Sequence, residues 1–263
     1  MTNSKIAWCD HTFNPWIGCS KVSTGCENCY AERLSGRWGW AEWGCEAVRK
    51  RTSQSYWQQP WAWKLEAIRS GARPRVFCGS LCDWLDMRVS GIWLQDLLNV
   101  IELTPQLTWM LLTKRPENFQ ARMEAGRGWC RGGLLDDWTR RIMPKSPANV
   151  WLGISAENQE QLERRVNLLV DIPAALHFVS AEPLLGPLDF EGDVAGVADW
   201  VIVGGESGPA ARPMKAGWVR DIRDDCLAAG VPFFFKGWGG RTADSGGNRL
   251  DGRIWHEFPT LNP

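Results

Sequence analysis

The stretch Asp199–Ser207, DWVIVGGES, decides how the chain is read. An uninterrupted apolar run from Trp200 to Val203 suits a strand covered on both faces, and the glycines and charge that follow suit a loop at its end. The same design recurs in RVFCGS (75–80), LTWMLLTK (107–114), NVWLGIS (149–155), ALHFVSAE (175–182) and VPFFFKG (231–237). Helical spacing fills the gaps. Ile92, Leu97, Leu98 and Ile101 follow Ser90, a good N-cap; Leu162, Val166 and Leu169 follow ENQEQ; Trp218, Ile222 and Cys226 precede Gly230, a good C-terminal stop. Strands alternating with helices predict βα units and a parallel sheet. With one further strand expected at about Lys5–Cys9, the predicted fold is α/β: a complete or partial TIM-like (β/α) barrel with parallel strands, formed as a single domain over residues 1–263. An open doubly wound sheet is the alternative.

Composition narrows the partners. Thirty Lys and Arg balance thirty Asp and Glu, so no global attraction to a polyanion is expected. The opening MTNSKIAWCD lacks an apolar h-region, and no apolar run approaches the ~20 residues that span a bilayer. No membrane association and a cytoplasmic location are expected. Nine cysteines without a secretory signal fit a reducing compartment, where clustered thiols hold metals or do chemistry. Most of the eighteen tryptophans are expected in the core.

Residues 33–75 stand apart. They carry nine Lys and Arg against three Glu, interleaved with tryptophans. Cations beside aromatic rings suit a nucleic acid strand, with phosphates on the charges and bases on the rings. The plainer alternative is a helical excursion whose tryptophans pack inward.

The predicted strands end in polar groups: Ser80 then Asp83, Lys114 and Arg115, Ser155 and Glu157, Ser180 and Glu182, Glu206 and Ser207, and Lys236. In a βα barrel these ends share the face that holds the site. Ser80, Asp83, Lys114, Arg115, Glu157, Glu182, Arg212 and Lys236 are therefore candidates for substrate binding. Ser90 and Ser155 are equally well explained as helix caps.

Near the start, GCSKVSTGCENCYAE (18–32) places Cys19, Cys26 and Cys29 in a Cys-x6-Cys-x2-Cys pattern. Three neighbouring thiolates repel one another unless a cation sits among them. Zinc would need a fourth ligand, for which Cys9 and His11 are local candidates. A 4Fe–4S cluster held by three cysteines would leave one iron open. Cys45, Cys78, Cys82, Cys130 and Cys226 are scattered and expected mostly as small apolar fillers, with Cys78 and Cys82 close to the predicted pocket. His256 is expected to be structural and His177, inside a strand run, to be core; the tail from Gly239 is expected to be a loop with a closing segment.

The blocks FNPWIGCSKVSTGCENCYAER, VFCGSLCDW, LLTKRPENF, VWLGISAENQ, FVSAEPLLGPLDF, VIVGGESGPAARPM and PFFFKGWGG resemble, over nearly the whole chain, a phage- and prophage-associated family of three-cysteine proteins. Three cysteines in an early loop of a βα barrel also resemble the radical S-adenosylmethionine (SAM) enzymes. That second resemblance implies a cluster on Cys19, Cys26 and Cys29, SAM chelated at the open iron, and a 5′-deoxyadenosyl radical acting on substrate. It departs from the common pattern in two places. The first gap is six residues, with Asn28 before the last cysteine, and Gly204-Gly205-Glu206 follows a late strand, whereas the Gly-Gly-Glu of those enzymes follows the second strand and meets the SAM amine there. On this reading Gly204, Gly205 and Glu206 bind the cofactor, while Lys114, Arg115 and Arg212 hold phosphate or carboxylate groups of a nucleotide or nucleic acid. If the chain is phage-encoded, the compartment is the host cytoplasm. Two alternatives remain open. One is a metal-dependent hydrolase or nuclease with Glu157, Glu182 or Asp83 as base. The other is a non-enzymatic iron–sulfur protein that senses redox state or binds nucleic acid. The oligomeric state is left open.

Overall fold

The structure, a computed structural model, describes residues 4–127, 138, 147–190 and 196–260. Seven strands form one sheet: β1 (His11–Phe13), β4 (Arg75–Cys78), β5 (Thr108–Thr113), β6 (Val150–Ser155), β7 (Leu176–Ala181), β8 (Trp200–Gly204) and β9 (Phe233–Gly237), in that order. β2 (Trp16–Ile17) pairs with β3 (Lys50–Arg51) outside it. The pairs β1–β4, β4–β5, β7–β8 and β8–β9 are all parallel. A sequential order without reversal is the topology of a partial (β/α) barrel; a doubly wound sheet would reverse direction from an internal strand.

The chain divides into two compact units, and the division falls inside β6, between Leu152 and Gly153. The first comprises residues 1–21, 31–152 and 171–175; the second comprises 22–30, 153–170 and 176–263.

In the first unit α2 (Gln59–Ser70), α3 (Gly91–Leu103) and α4 (Phe119–Arg127) accompany the strands. Ser90 caps α3 as expected, its Oγ accepting from the Ile92 amide at 3.3 Å. Leu94, Leu97, Leu98 and Ile101 form the buried seam, whereas Ile92 is exposed. Phe13 meets Trp57, Trp63 and Trp109 edge-on, with centroids 5.4–6.5 Å apart. The first strand lies later than Lys5–Cys9. Residues around Cys9 turn instead, with the Cys9 amide donating to Ile6 O and the Ser4 amide to Asp10 O, and pairing with β4 starts at His11.

In the second unit α5 (Gln159–Leu169) starts at Asn158, whose Oδ1 accepts from the Gln161 amide at 3.0 Å. α6 (Ala216–Ala229) ends at Gly230 with φ +70°, the left-handed stop that glycine adopts without strain. Its buried seam is Val219, Ile222 and Cys226; Trp218, one position off, lies half-exposed under Lys215. Gly153 is packed against the Phe178 ring, so a side chain there would strike the aromatic. The tail forms the pair β10 (Arg249–Leu250) and β11 (Arg253–Ile254), then runs antiparallel along β9. The Phe235 amide donates to Trp255 O at 2.7 Å and His256 stacks on Phe234, so the outer edge of β9 is covered. Among the described residues no helix is long and apolar enough to cross a membrane.

Candidate functional site

The cysteine-bearing chain is held by charged residues at strand ends. In the first unit Gly18 has φ +113° and donates its amide to Leu81 O, while Cys19 O accepts from the Gly44 amide at 2.9 Å. Arg115, just beyond β5, reaches the same segment. Its Nη1 donates to Cys19 Sγ at 3.3 Å, and its Nη2 donates to Ser20 O at 2.6 Å and Ser20 Oγ at 3.0 Å. Asp83 in turn holds Arg115 at 2.9 Å, and also accepts from Thr113 Oγ1 and the Leu85 and Lys114 amides. Both side chains are under one-tenth exposed, so the carboxylate's hydrogen bonds and the guanidinium's charge substitute for lost water. Burial pushes the Cys19 thiol up to about 11, against the pull of Arg115.

In the second unit Cys26 and Cys29 lie on a turn. A 3₁₀ segment at Thr24–Cys26 leads into α1 (Tyr30–Trp38), whose later residues belong to the first unit. Two acid–arginine pairs grip this turn. Glu157, beyond β6, accepts the Gly25 amide on Oε1 at 3.2 Å and Arg165 Nη1 on Oε2 at 2.9 Å; Arg165 Nη2 donates to Ser23 Oγ at 3.0 Å. Glu206, beyond β8, accepts from Arg212 through Nη2 at 2.6 Å and Nε at 3.0 Å, and from Asn28 Nδ2 at 2.9 Å. Arg212 continues to Thr24 O at 2.9 Å and to Glu27 Oε2 at 2.8 Å. Burial alone would raise the Glu206 carboxyl, but the hydrogen bonds from Arg212 and Asn28 outweigh it and hold it below the usual carboxylate range.

Of the other predicted site residues, Ser80 exchanges hydrogen bonds with Asn14. Glu182 pairs with Lys236 at 2.8 Å and accepts from Ser180 Oγ at 3.2 Å. Lys114 is half-buried, its amide spent on Asp83. Gly204 and Gly205 have a packing reason to be glycine: a Cβ would strike Glu182 Oε1 at the first and Trp238 O at the second. The Gly205 amide donates to Gly237 O and the Gly240 amide to Glu206 O, so this loop is laced to the end of β9.

Cys9 and His11 lie at the start of β1, whereas Cys19 lies past its end. The Cys9 thiol donates to Ser4 Oγ and Ile6 O, and His11 stacks on Trp63 with centroids 4.4 Å apart. Cys78 and Cys226 are buried, Cys82 is half-buried and Cys45 is exposed, the last contrary to a filler role. Cys130 lies outside the described residues. His177 is half-exposed within β7, not enclosed.

Cys19, Cys26 and Cys29 are half-buried and in no disulfide. In kind they fit a thiolate-bound metal or cluster, and a guanidinium aimed at one sulfur suits an anionic ligand. In arrangement, no group of three or more His, Cys, Asp or Glu side chains among the described residues is gathered to hold a metal ion.

Residues 3–259 match the DUF5131 family, described as a protein of unknown function. The chain belongs to the DUF5131 family. No curated protein and no solved structure matches it.

Four partners in this DUF5131 site went unforeseen: Ser23, Glu27, Asn28 and Arg165. Arg165 carried a signal. It is three residues after Leu162 and four before Leu169, hence on the buried stripe of α5, where a lone cation needs a buried acid.

Proposed function

We propose that this chain is an iron–sulfur protein that holds an open-site 4Fe–4S cluster through Cys19, Cys26 and Cys29, and acts as a radical SAM-like enzyme on a nucleotide or nucleic acid in the cytoplasm. One observation carries the reading: the charged groups at the ends of β5, β6 and β8 are spent on holding the chain that bears the three thiols. A fold that needed these cysteines only as filler would have no use for that support. When bound, such a cluster supplies an electron and an open coordination position. The protein's own part is to present the thiols: Arg115 steadies the Cys19 sulfur, and the Glu157 and Glu206 systems fix the turn of Cys26 and Cys29.

The nucleic acid reading draws on the excursion at 33–75. Trp57 and Trp63 are core, but Trp38 is 60% exposed with the Arg37 guanidinium 5.5 Å from its ring, and Trp40 is also exposed. Exposed rings beside cations suit stacked bases and phosphates. The hydrolytic alternative is weakened by Asp83 and Glu157, each committed to a buried ion pair.

Anaerobic purification followed by iron, sulfide and zinc analysis tests the reading. Iron with labile sulfide, lost in Cys26→Ala, is expected; protein free of both iron and zinc sinks it. Reduced protein incubated with SAM should release 5′-deoxyadenosine above the Cys26→Ala background, and none above it removes the enzymatic half.

A further inference from the structure

The second unit spends an unusual amount of polar structure on six residues. Between Ser23 and Asn28 the turn exchanges hydrogen bonds with two acid–arginine systems. Arg165 reaches Ser23 Oγ and Glu157 takes the Gly25 amide. Arg212 donates to Thr24 O and Glu27 Oε2, and Asn28 donates to Glu206 and Ala210 O, while Arg212 donates to Glu206 twice through side chains. The turn's own backbone contributes the Cys26 amide to Ser23 O and the Glu27 amide to Thr24 O. Gly25 completes the grip: a Cβ there would lie 2.9 Å from Glu157 Cδ. Glu157 has no room to retreat, because its side chain is fully enclosed.

We infer that Glu157, Arg165, Glu206 and Arg212 are positioning residues that fix the conformation in which the turn presents Cys26 and Cys29. The inference rests on the functional reading above only in taking these two thiols as the working groups. The unit's apolar core includes Phe178, Trp200, Phe233 and Phe234. Both pairs instead connect strand ends to one short turn. A buried pair is weak support for stability, but the bonds it makes fix local geometry: Arg165 spends both Nη atoms on Ser155 O, Glu157 and Ser23, although its Nε is left without a partner among the described residues.

The test uses the full chain, reduced and metal-free, under argon. Alkylation by iodoacetamide is followed at each cysteine by peptide mass spectrometry in wild type, Gly25→Ala and Glu206→Gln. Cys226, buried on α6 in the same unit, reports global opening. The inference expects Cys26 and Cys29 to react about threefold faster or more in both variants while Cys226 stays protected, the mark of local rather than global unfolding. A smaller change, or a rise shared by Cys226, overturns it. Glu206→Gln guards against a Gly25→Ala chain that fails to fold, because Arg212 is partly solvated. A second arm adds cobalt(II) and reads the thiolate-to-metal absorption; the variants should bind more weakly than wild type. Wild type without that absorption would count against the metal reading alone, since the alkylation rates are measured on metal-free protein.

Discussion

The two ion pairs that grip the cysteine turn differ in burial. In Glu157–Arg165 the side chains are 0% and 2% exposed; in Glu206–Arg212 they are 4% and 30% exposed. The first pair has no water to fall back on, so removing either partner strands a charge inside the unit. In the second, solvent reaches Arg212 and can compensate its loss. The enclosed pair therefore ties the turn to the folding of the unit, and the open pair governs the turn with little effect beyond it.

The largest expected consequence falls on the enclosed pair. Arg165→Ala leaves Glu157 unpaired and should cost about 3–5 kcal/mol in denaturant unfolding, the range for breaking a buried ion pair. A loss below about 1 kcal/mol would show that water or another donor replaces the guanidinium, and the contrast with Arg212 would disappear. Arg212→Ala comes next, at about 1 kcal/mol or less once solvent screening is allowed for. Its effect should shrink in high salt, whereas that of Arg165→Ala should not. Equal salt sensitivity in the two variants would break the distinction.

Acid sharpens the same contrast. Glu206 is held below the ordinary carboxylate value of 4.5, so its contribution is present above that value and is lost as pH falls through its folded pKa. Wild type should lose thermal stability more steeply than Glu206→Gln below about pH 4.5, because the variant has no carboxylate to protonate. Parallel curves would mean that Glu206 contributes nothing that acid removes.

Much of the fold was legible because parallel strands announce themselves as unbroken apolar runs, and β4 to β9 fall where those runs stand. β1 was not, because its three residues HTF carry no run, and the more apolar stretch before it is taken up by a turn that ends at Cys9. The site was legible in its residues but not in its wiring. Asp83, Arg115, Glu157 and Glu206 are marked by their place after strands, and Arg212 only as a cation suited to an anionic ligand. That Arg115 aims at Cys19, or that Glu157 takes the amide of Gly25, 132 positions away, depends on which strand neighbours which and has no local signature. Arg165 was the exception, a cation on the apolar stripe of α5.

The smallest expected effect is the most discriminating control. Asp251 receives Arg220 and Arg223 in three side-chain bonds of 2.7–3.1 Å from the first and one of 2.7 Å from the second. These bonds, Arg220 first, hold its carboxyl down to about 2, so by geometry and titration it looks as firmly paired as Glu206. It differs in lying on the surface and in binding arginines of α6 instead of the turn that bears Cys26 and Cys29. Asp251 also has φ +52°, a conformation asparagine tolerates well, so Asp251→Asn removes the charge without straining the backbone. The variant should melt with wild type and leave the alkylation of Cys26 and Cys29 unchanged, because exposed pairs recover most of their lost contacts from water. If Asp251→Asn loosened those thiols as much as Glu206→Gln does, good hydrogen-bond geometry anywhere in the unit would be enough, and the placement of Glu206 beside the turn would explain nothing.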